Sequence, residues 1–455
     1  MNRSLPTSLL DSLEHVKGFD RKTFEAVHES GEQVVSVRLN PDKLFDAACS
    51  QLHVAENIRW CPYGKYLRER PSFTLDPLLH AGAYYVQEAS SMFLWKVLEQ
   101  IVGENTAGLR VLDLCAAPGG KSTLLASYFK DSLIVSNEVI RSRASILVEN
   151  ITKWGSGNVV VTNNDPKDFS ALKNYFDVIV VDAPCSGSGL FRKDAEAIDE
   201  WSEENVMLCS QRQQRILADV YPALKKNGVL IYSTCSYSEK EDEDILDWMT
   251  NEFAVSSSQL TVSDEWGIVE TQSDKHKAYG YRFFPGHVKG EGFFIAAFKK
   301  NDGEDILYRS AQLASAPKHE INMLNDWIKE HRSLSFFKQY ENIIAIPLQW
   351  NQDVSLLQKN LYIKKAGITT GTVKGKDFIP DHELAMSLLL SEKISSVNLN
   401  YEQAIQYLKK KDVSINDVQK GWNILKYCGA NLGWIKVLHN RVNNYYPVNW
   451  RILKD

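Results

Sequence analysis

Between residues 109 and 300 the chain alternates short β-branched apolar runs with longer amphipathic stretches, a pattern that few folds accommodate. The run 109–114 reads as a strand followed by a helix over about 121–129, and 133–137 as a second strand followed by a helix over about 141–154. Residues 158–161 and 177–181 continue the series, and 228–232 adds a fifth strand after a long helical stretch over about 203–224. Continuous apolar runs bounded by glycine or proline are what strands buried on both faces look like, so the expectation is an α/β fold with a parallel, doubly wound sheet. The last run, 292–298, has no helical pattern before it and is expected to be an antiparallel edge strand. A helix is also expected over about 84–97, upstream of the series.

At 455 residues the chain exceeds one compact core, and roughly 100 to 200 residues per domain predicts two to four domains. The expected units are residues 1–105, an α+β segment holding a strand at 34–39; 106–300, the doubly wound domain; 301–395, an intermediate α+β domain behind the polar linker 301–305; and 396–455, a small domain, the last forty residues of the chain being rich in Gly, Trp, Asn, Lys and Tyr. Residues 1–6 carry no apolar signal core and no run of eighteen apolar residues occurs, so no membrane association and a cytoplasmic location are expected. Seven cysteines without CxxC spacing predict reduced thiols, with neither a disulfide framework nor a metal site. The net charge of -5 gives no global sign of polyanion binding. Residues 301–455, however, hold 20 basic and 16 acidic side chains, which places the basic character toward the C-terminal end.

Three features carry chemistry. Cys115, Ala116, Ala117, Pro118, Gly119, Gly120 and Lys121 follow the first strand and open a helix, where glycines let a ligand approach the backbone and the helix N-terminus offers free N–H groups. A dinucleotide fingerprint would need G-x-G-x-x-G and a phosphate loop would need glycine at Cys115, although Gly120-Lys121-Ser122 imitates the end of such a loop. Glu138 ends the second strand, where a carboxylate can accept from ribose hydroxyls, and Asp165 ends the third, where one can meet an adenine amino group. Each acid alone reads equally well as a helix cap.

The third feature is a pair of cysteines after the fourth and fifth strands: Cys185 in Asp182-Ala183-Pro184-Cys185-Ser186-Gly187 and Cys235 in Ser233-Thr234-Cys235-Ser236. A lone free cysteine is usually a small buried hydrophobe. Two of them after strands of one nucleotide-type sheet point instead to a thiolate that adds to carbon 6 of a cytosine and makes carbon 5 nucleophilic. Asp182 is placed to steady cytosine N3 as charge builds there.

These segments closely resemble the signatures of the Fmu/Sun family of RNA cytosine carbon-5 methyltransferases, as do Arg192-Lys193-Asp194, the stretch 84–92 and Arg38-Leu39-Asn40. The resemblance runs nearly from residue 5 to residue 300. Past it, 371–384 and the stretches from Leu432 to Trp434 and from Tyr445 to Pro447 resemble the tail of the bacterial small-subunit rRNA methyltransferase F branch, whose last domain is PUA-like. The resemblance implies a class I S-adenosylmethionine-dependent methyltransferase sheet. It puts S-adenosylmethionine along Cys115 to Lys121, with Glu138 on the ribose, Asp165 at the adenine and Asp182 between cofactor and target base. It makes Cys235 the nucleophile and Cys185 the residue that assists breakdown of the covalent adduct, the reverse of the DNA cytosine methyltransferases, in which the cysteine of the Pro-Cys motif attacks.

The implied partner is RNA, foremost 16S rRNA or the small ribosomal subunit, with transfer RNA as the alternative substrate and a monomer as the working form. A catalytically silent RNA-binding or ribosome-assembly factor and a DNA methyltransferase using Cys185 are the readings from other classes. An RNA cytosine inside a helix must be unstacked to reach such a site. Trp422, Tyr427, Trp434, Tyr445, Tyr446 and Trp450 interleave with Lys426, Lys436, Arg441, Arg451 and Lys454, which suits base stacking with phosphate neutralisation or, equally, the core of a small β domain.

Overall fold

A computed structural model describes residues 4–309, 311–415 and 418–454. Its centre is a sheet whose first five strands are β1 (Arg110–Asp113), β2 (Leu133–Asn137), β3 (Val159–Thr162), β4 (Phe176–Asp182) and β5 (Leu224–Thr234). They run parallel in the spatial order β3-β2-β1-β4-β5. Successive side chains enter opposite layers: Val111, Val178, Val180 and Ile231 pack on one side, and Leu112, Ile179, Val181 and Tyr232 on the other. The apolar runs lack alternation because both faces are buried.

The expected 292–298 edge strand is corrected by the structure. β7 (Phe293–Lys300) is antiparallel to β5 as expected, yet it lies inside the sheet, between β5 and β6 (Tyr279–Phe283), with Val269–Gln272 beyond. Phe294 to Phe298 are buried throughout, which an edge strand would not require. The opposite edge, at β3, is covered by Ile363–Ala366 from the C-terminal third of the chain. This pairing satisfies an edge that would otherwise offer open backbone groups.

The main helices between the parallel strands are α1 (Gly120–Tyr128), α2 (Arg141–Trp154) and α3 (Glu203–Val220). α2 stops at Gly155, which takes the left-handed conformation at φ 90°. α3 starts where the Ser202 side chain accepts from the Asn205 N–H at 3.0 Å, with Glu203 and Glu204 in its first turn.

The N-terminal segment holds helices Thr7–Leu13 and Arg21–Glu29 and a four-stranded antiparallel sheet that includes Ser36–Leu39. The helix expected over 84–97 is corrected too. Tyr84–Val86 is a strand paired with Ser36–Leu39, a 3-10 turn follows at Ser90–Phe93, and the helix is Leu94–Ile101. Two tyrosines and a valine favour the strand, and the open edge beside Arg38 takes them up. Residues beyond 300 form two further four-stranded sheets, the second built on the hairpin Gly421–Tyr427 and Ala430–Val437.

Candidate active site

The strand order reverses between β1 and β4, so the crevice beyond their carboxyl ends is where such a sheet binds ligands. Register aligns those ends: Asp113 lies opposite Ser136 and Val180, and Asp182 opposite Ser233.

After β1 the chain turns through Cys115 to Gly119, where Gly119 adopts φ 118° and a side chain would be strained. Four residues pin the loop. Arg143 of α2 donates to the Ala117 carbonyl at 2.7 Å, Asn150 to the Pro118 carbonyl at 2.8 Å, and the wholly buried Arg38 to the Gly120 carbonyl at 3.2 Å. Ser122 donates to Asp113 at 2.6 Å. The other oxygen of Asp113 is buried without a partner, and burial raises this carboxyl to about 7, with Ser122 opposing and Asp182 adding to the rise.

Glu138 sits beside the loop with one oxygen accepting from the Ile140 N–H at 2.8 Å and the other 3.6 Å from Arg143. The neighbouring Val139 and Ile140 are exposed apolar side chains. Asp165 caps the turn after β3, accepting from the Lys167 N–H at 3.2 Å, and meets Arg215 at 3.5 Å. A left-handed glycine at a helix N-terminus, a carboxylate with acceptor capacity left, exposed apolar surface and a second acid form a donor set that fits S-adenosylmethionine.

The two cysteines converge. Cys185 Sγ and Cys235 Sγ are 2.7 Å apart as free thiols, although fifty residues separate them. The hydrogen bond with Cys235 and burial push the Cys185 thiol well up, so Cys185 keeps its proton at neutral pH. Asp182 links the segment of Cys235 to the loop from Cys115 to Lys121. Its carboxylate meets Lys121 Nζ at 2.8 Å and accepts from Ser233 Oγ at 2.8 Å. The two cysteine loops also touch directly, because the Gly189 N–H donates to the Cys235 carbonyl at 2.8 Å and a Cβ at Gly189 would lie 2.7 Å from that oxygen.

Arg192, from the Arg-Lys-Asp segment, is buried in an ion pair with Glu291 at 3.3 Å. In the tail, Trp434 is fully buried with its indole N–H on the Asp381 carbonyl at 2.8 Å, and Tyr446 is buried against Tyr407 and His382, whereas Tyr445 is 39% exposed and packs on Trp422. Lys436 Nζ lies 5.2 Å from the Trp422 ring. Core and surface thus share the tail aromatics between them.

A family model described as 16S rRNA methyltransferase RsmB/F matches residues 101–299, one for the N-terminal domain of 16S rRNA methyltransferase RsmF matches 5–89, and one for the methyltransferase RsmF PUA domain matches 395–452. Ribosomal RNA small subunit methyltransferase F of Aliivibrio salmonicida is 30% identical over 404 residues, spanning 86% of this chain and 84% of that protein. The chain belongs to the RsmB/F family. The protein of the same name from Psychromonas ingrahamii is likewise 30% identical, over 91% of this chain and 89% of its own length. A solved methyltransferase homolog from Pyrococcus horikoshii matches with TM-score 0.51 and 26% identity, covering 65% of this chain and 100% of that one. As an RsmB/F member the protein is an S-adenosylmethionine-dependent rRNA methyltransferase, and no helix among the described residues is long and apolar enough to cross a membrane.

Sequence reasoning passed over Glu241, Arg143 and Asn150. Glu241 lies in an acidic run that reads as a solvated surface, yet it is wholly buried under both cysteine loops. Nothing in the spacing of that run marks the buried member.

Proposed function

We propose that this protein methylates carbon 5 of a cytosine in 16S rRNA of the small ribosomal subunit, through a covalent bond between Cys235 and carbon 6 of the base. The 2.7 Å approach of the Cys185 and Cys235 sulfurs beside Asp182 carries the reading, because a pyrimidine-adding thiolate needs both a means of attack and a means of release. S-adenosylmethionine, held along Cys115 to Lys121 with Glu138 at the ribose and Asp165 at the adenine, supplies an electrophilic methyl group when bound.

The chain's own residues divide the remaining work. The Cys235 thiolate bonds to carbon 6, and the electron pair displaced from the ring double bond makes carbon 5 nucleophilic. Lys121, held in place by the Asp182 carboxylate, offsets the negative charge that builds on the ring. After carbon 5 has been methylated, its proton passes to water, the C5–H electron pair re-forms the ring double bond, and the carbon–sulfur pair leaves on the Cys235 sulfur. Cys185, kept as a thiol, hydrogen-bonds the departing sulfur and so assists this elimination. The exposed Tyr445 and the half-buried Trp422 and Lys436 of the tail engage the flanking RNA by stacking and charge. The protein works in the cytoplasm, a reading supported by its free cysteines, and as a monomer.

Labelled S-adenosylmethionine offered with 16S rRNA, transfer RNA and duplex DNA tests this. Label in 5-methylcytosine of 16S rRNA is the expected product. Label at another atom, in another nucleic acid, or in none contradicts the reading.

A further inference from the structure

Glu241 is 0% exposed, and its carboxylate accepts four hydrogen bonds. One oxygen takes the Ser186 N–H at 2.8 Å and the Gln213 side-chain N–H at 3.1 Å. The other takes the Ser186 hydroxyl at 2.5 Å and the Ser236 hydroxyl at 2.7 Å. Ser186 directly follows Cys185, and Ser236 directly follows Cys235. A single carboxylate therefore grips the residue after each cysteine, on loops that leave different strands.

The grip is itself braced. Gln213 of α3 also donates to the Pro184 carbonyl at 3.1 Å and accepts from the Tyr232 hydroxyl at 3.0 Å, and that hydroxyl lies 2.6 Å from the Glu241 carbonyl. Pro184 precedes Cys185, so the Cys185 turn is held on both sides. Buried donors left unmet are costly, and a carboxylate that meets four of them defines one arrangement of the loops.

We propose that Glu241 is a positioning residue for the two-cysteine centre, its carboxylate fixing Cys185 and Cys235 at reacting distance by tying together Ser186 and Ser236. The inference rests on the two-cysteine reading given above. Glu241 acts through the loops and needs no contact with the base.

The side chain's shape, rather than its charge, is what the clamp requires. In Glu241→Gln the amide oxygen still accepts from the Ser186 N–H and Gln213, and the amide N–H₂ donates to the two serine hydroxyls, which turn to accept. In Glu241→Ala all four bonds vanish. A displacement near 1 Å costs about 100-fold in rate, so Glu241→Ala is expected to lower kcat about 100-fold while the KM values for RNA and S-adenosylmethionine hold. Glu241→Gln is expected to recover most of that loss, and Ser236→Ala, which frees only the Cys235 side, to fall between.

Wild type is first incubated with S-adenosylmethionine and RNA carrying 5-fluorocytosine, whose fluorine cannot leave as a proton, so the carbon–sulfur bond persists through SDS. If wild type forms no such complex, the two-cysteine reading falls and the clamp falls with it. If wild type forms it, each variant is followed by kcat, by KM and by the rate of complex formation, with circular dichroism as the check on folding. Loss of kcat in Glu241→Ala with recovery in Glu241→Gln supports the clamp. A folded Glu241→Ala with wild-type kcat, or a Glu241→Gln as slow as Glu241→Ala, overturns it. Should Glu241→Ala fail to fold, Ser236→Ala decides: reduced kcat at unchanged KM supports the clamp and wild-type kcat overturns it.

Discussion

Lys121 Nζ lies 2.8 Å from Asp182 Oδ2, which joins the first turn of α1 to the end of β4. The contact is 11% exposed on the lysine side, and Ser233 occupies the second carboxylate oxygen, so Asp182 has a fixed direction in the crevice. Removing a positioned polar group from a proton- or charge-handling step costs about 100-fold or more. Asp182→Ala and Lys121→Met are each expected to lower kcat by about that factor, while filter binding of RNA stays close to wild type. Loss of the pair together should cost little more than loss of one, since the two act as a unit.

Asp113 gives stability a pH signature. Its buried carboxyl has a folded value of about 7 against an ordinary 3.8. Between those values the folded protein holds a proton that the unfolded chain releases, so stability from this group is complete below 3.8 and falls as pH rises to about 7. Asp113→Asn cannot titrate. The difference in Tm between wild type and Asp113→Asn is expected to shift in the variant's favour from pH 4 to about pH 7 and to level off by pH 8.

The tail aromatics separate folding from binding. Trp434 is fully buried, so Trp434→Ala is expected to destabilise the tail by about 3–5 kcal/mol in urea unfolding. Tyr445, 39% exposed, should leave stability within about 0.5 kcal/mol when changed to alanine. Tyr445→Ala should instead weaken RNA binding by about 1–3 kcal/mol, the usual worth of one stacked base.

What could be read from the chain follows the range of the interactions involved. The five parallel strands were legible because burial on both faces writes itself into consecutive residues. The loop from Cys115 to Lys121 and the Asp182-to-Cys185 turn were legible because local backbone demands select glycine and proline. The interior position of β7 was not, since it depends on β6 and Val269–Gln272, short segments that resemble loops until they pair. Nor was the cover on β3, because Ile363–Ala366 joins from some two hundred residues away. Glu241 was hidden for the same reason: its burial comes from Ser186 and Gln213, far from it in sequence.

The Tyr84–Val86 strand shows the competing case. The stretch has enough helical periodicity to suggest a helix from Tyr84, and the helix does form, from Leu94. The open edge at Ser36–Leu39 captured its first residues. Tertiary pairing outweighed local preference there.

The covalent role proposed for Cys235 is tested most directly by a denaturing gel of each cysteine variant after incubation with S-adenosylmethionine and 16S rRNA. Cys185→Ala should carry RNA through SDS, because attack by Cys235 proceeds and release stalls, whereas Cys235→Ala should carry none. RNA retained by Cys235→Ala, or lost from Cys185→Ala, would contradict the assignment.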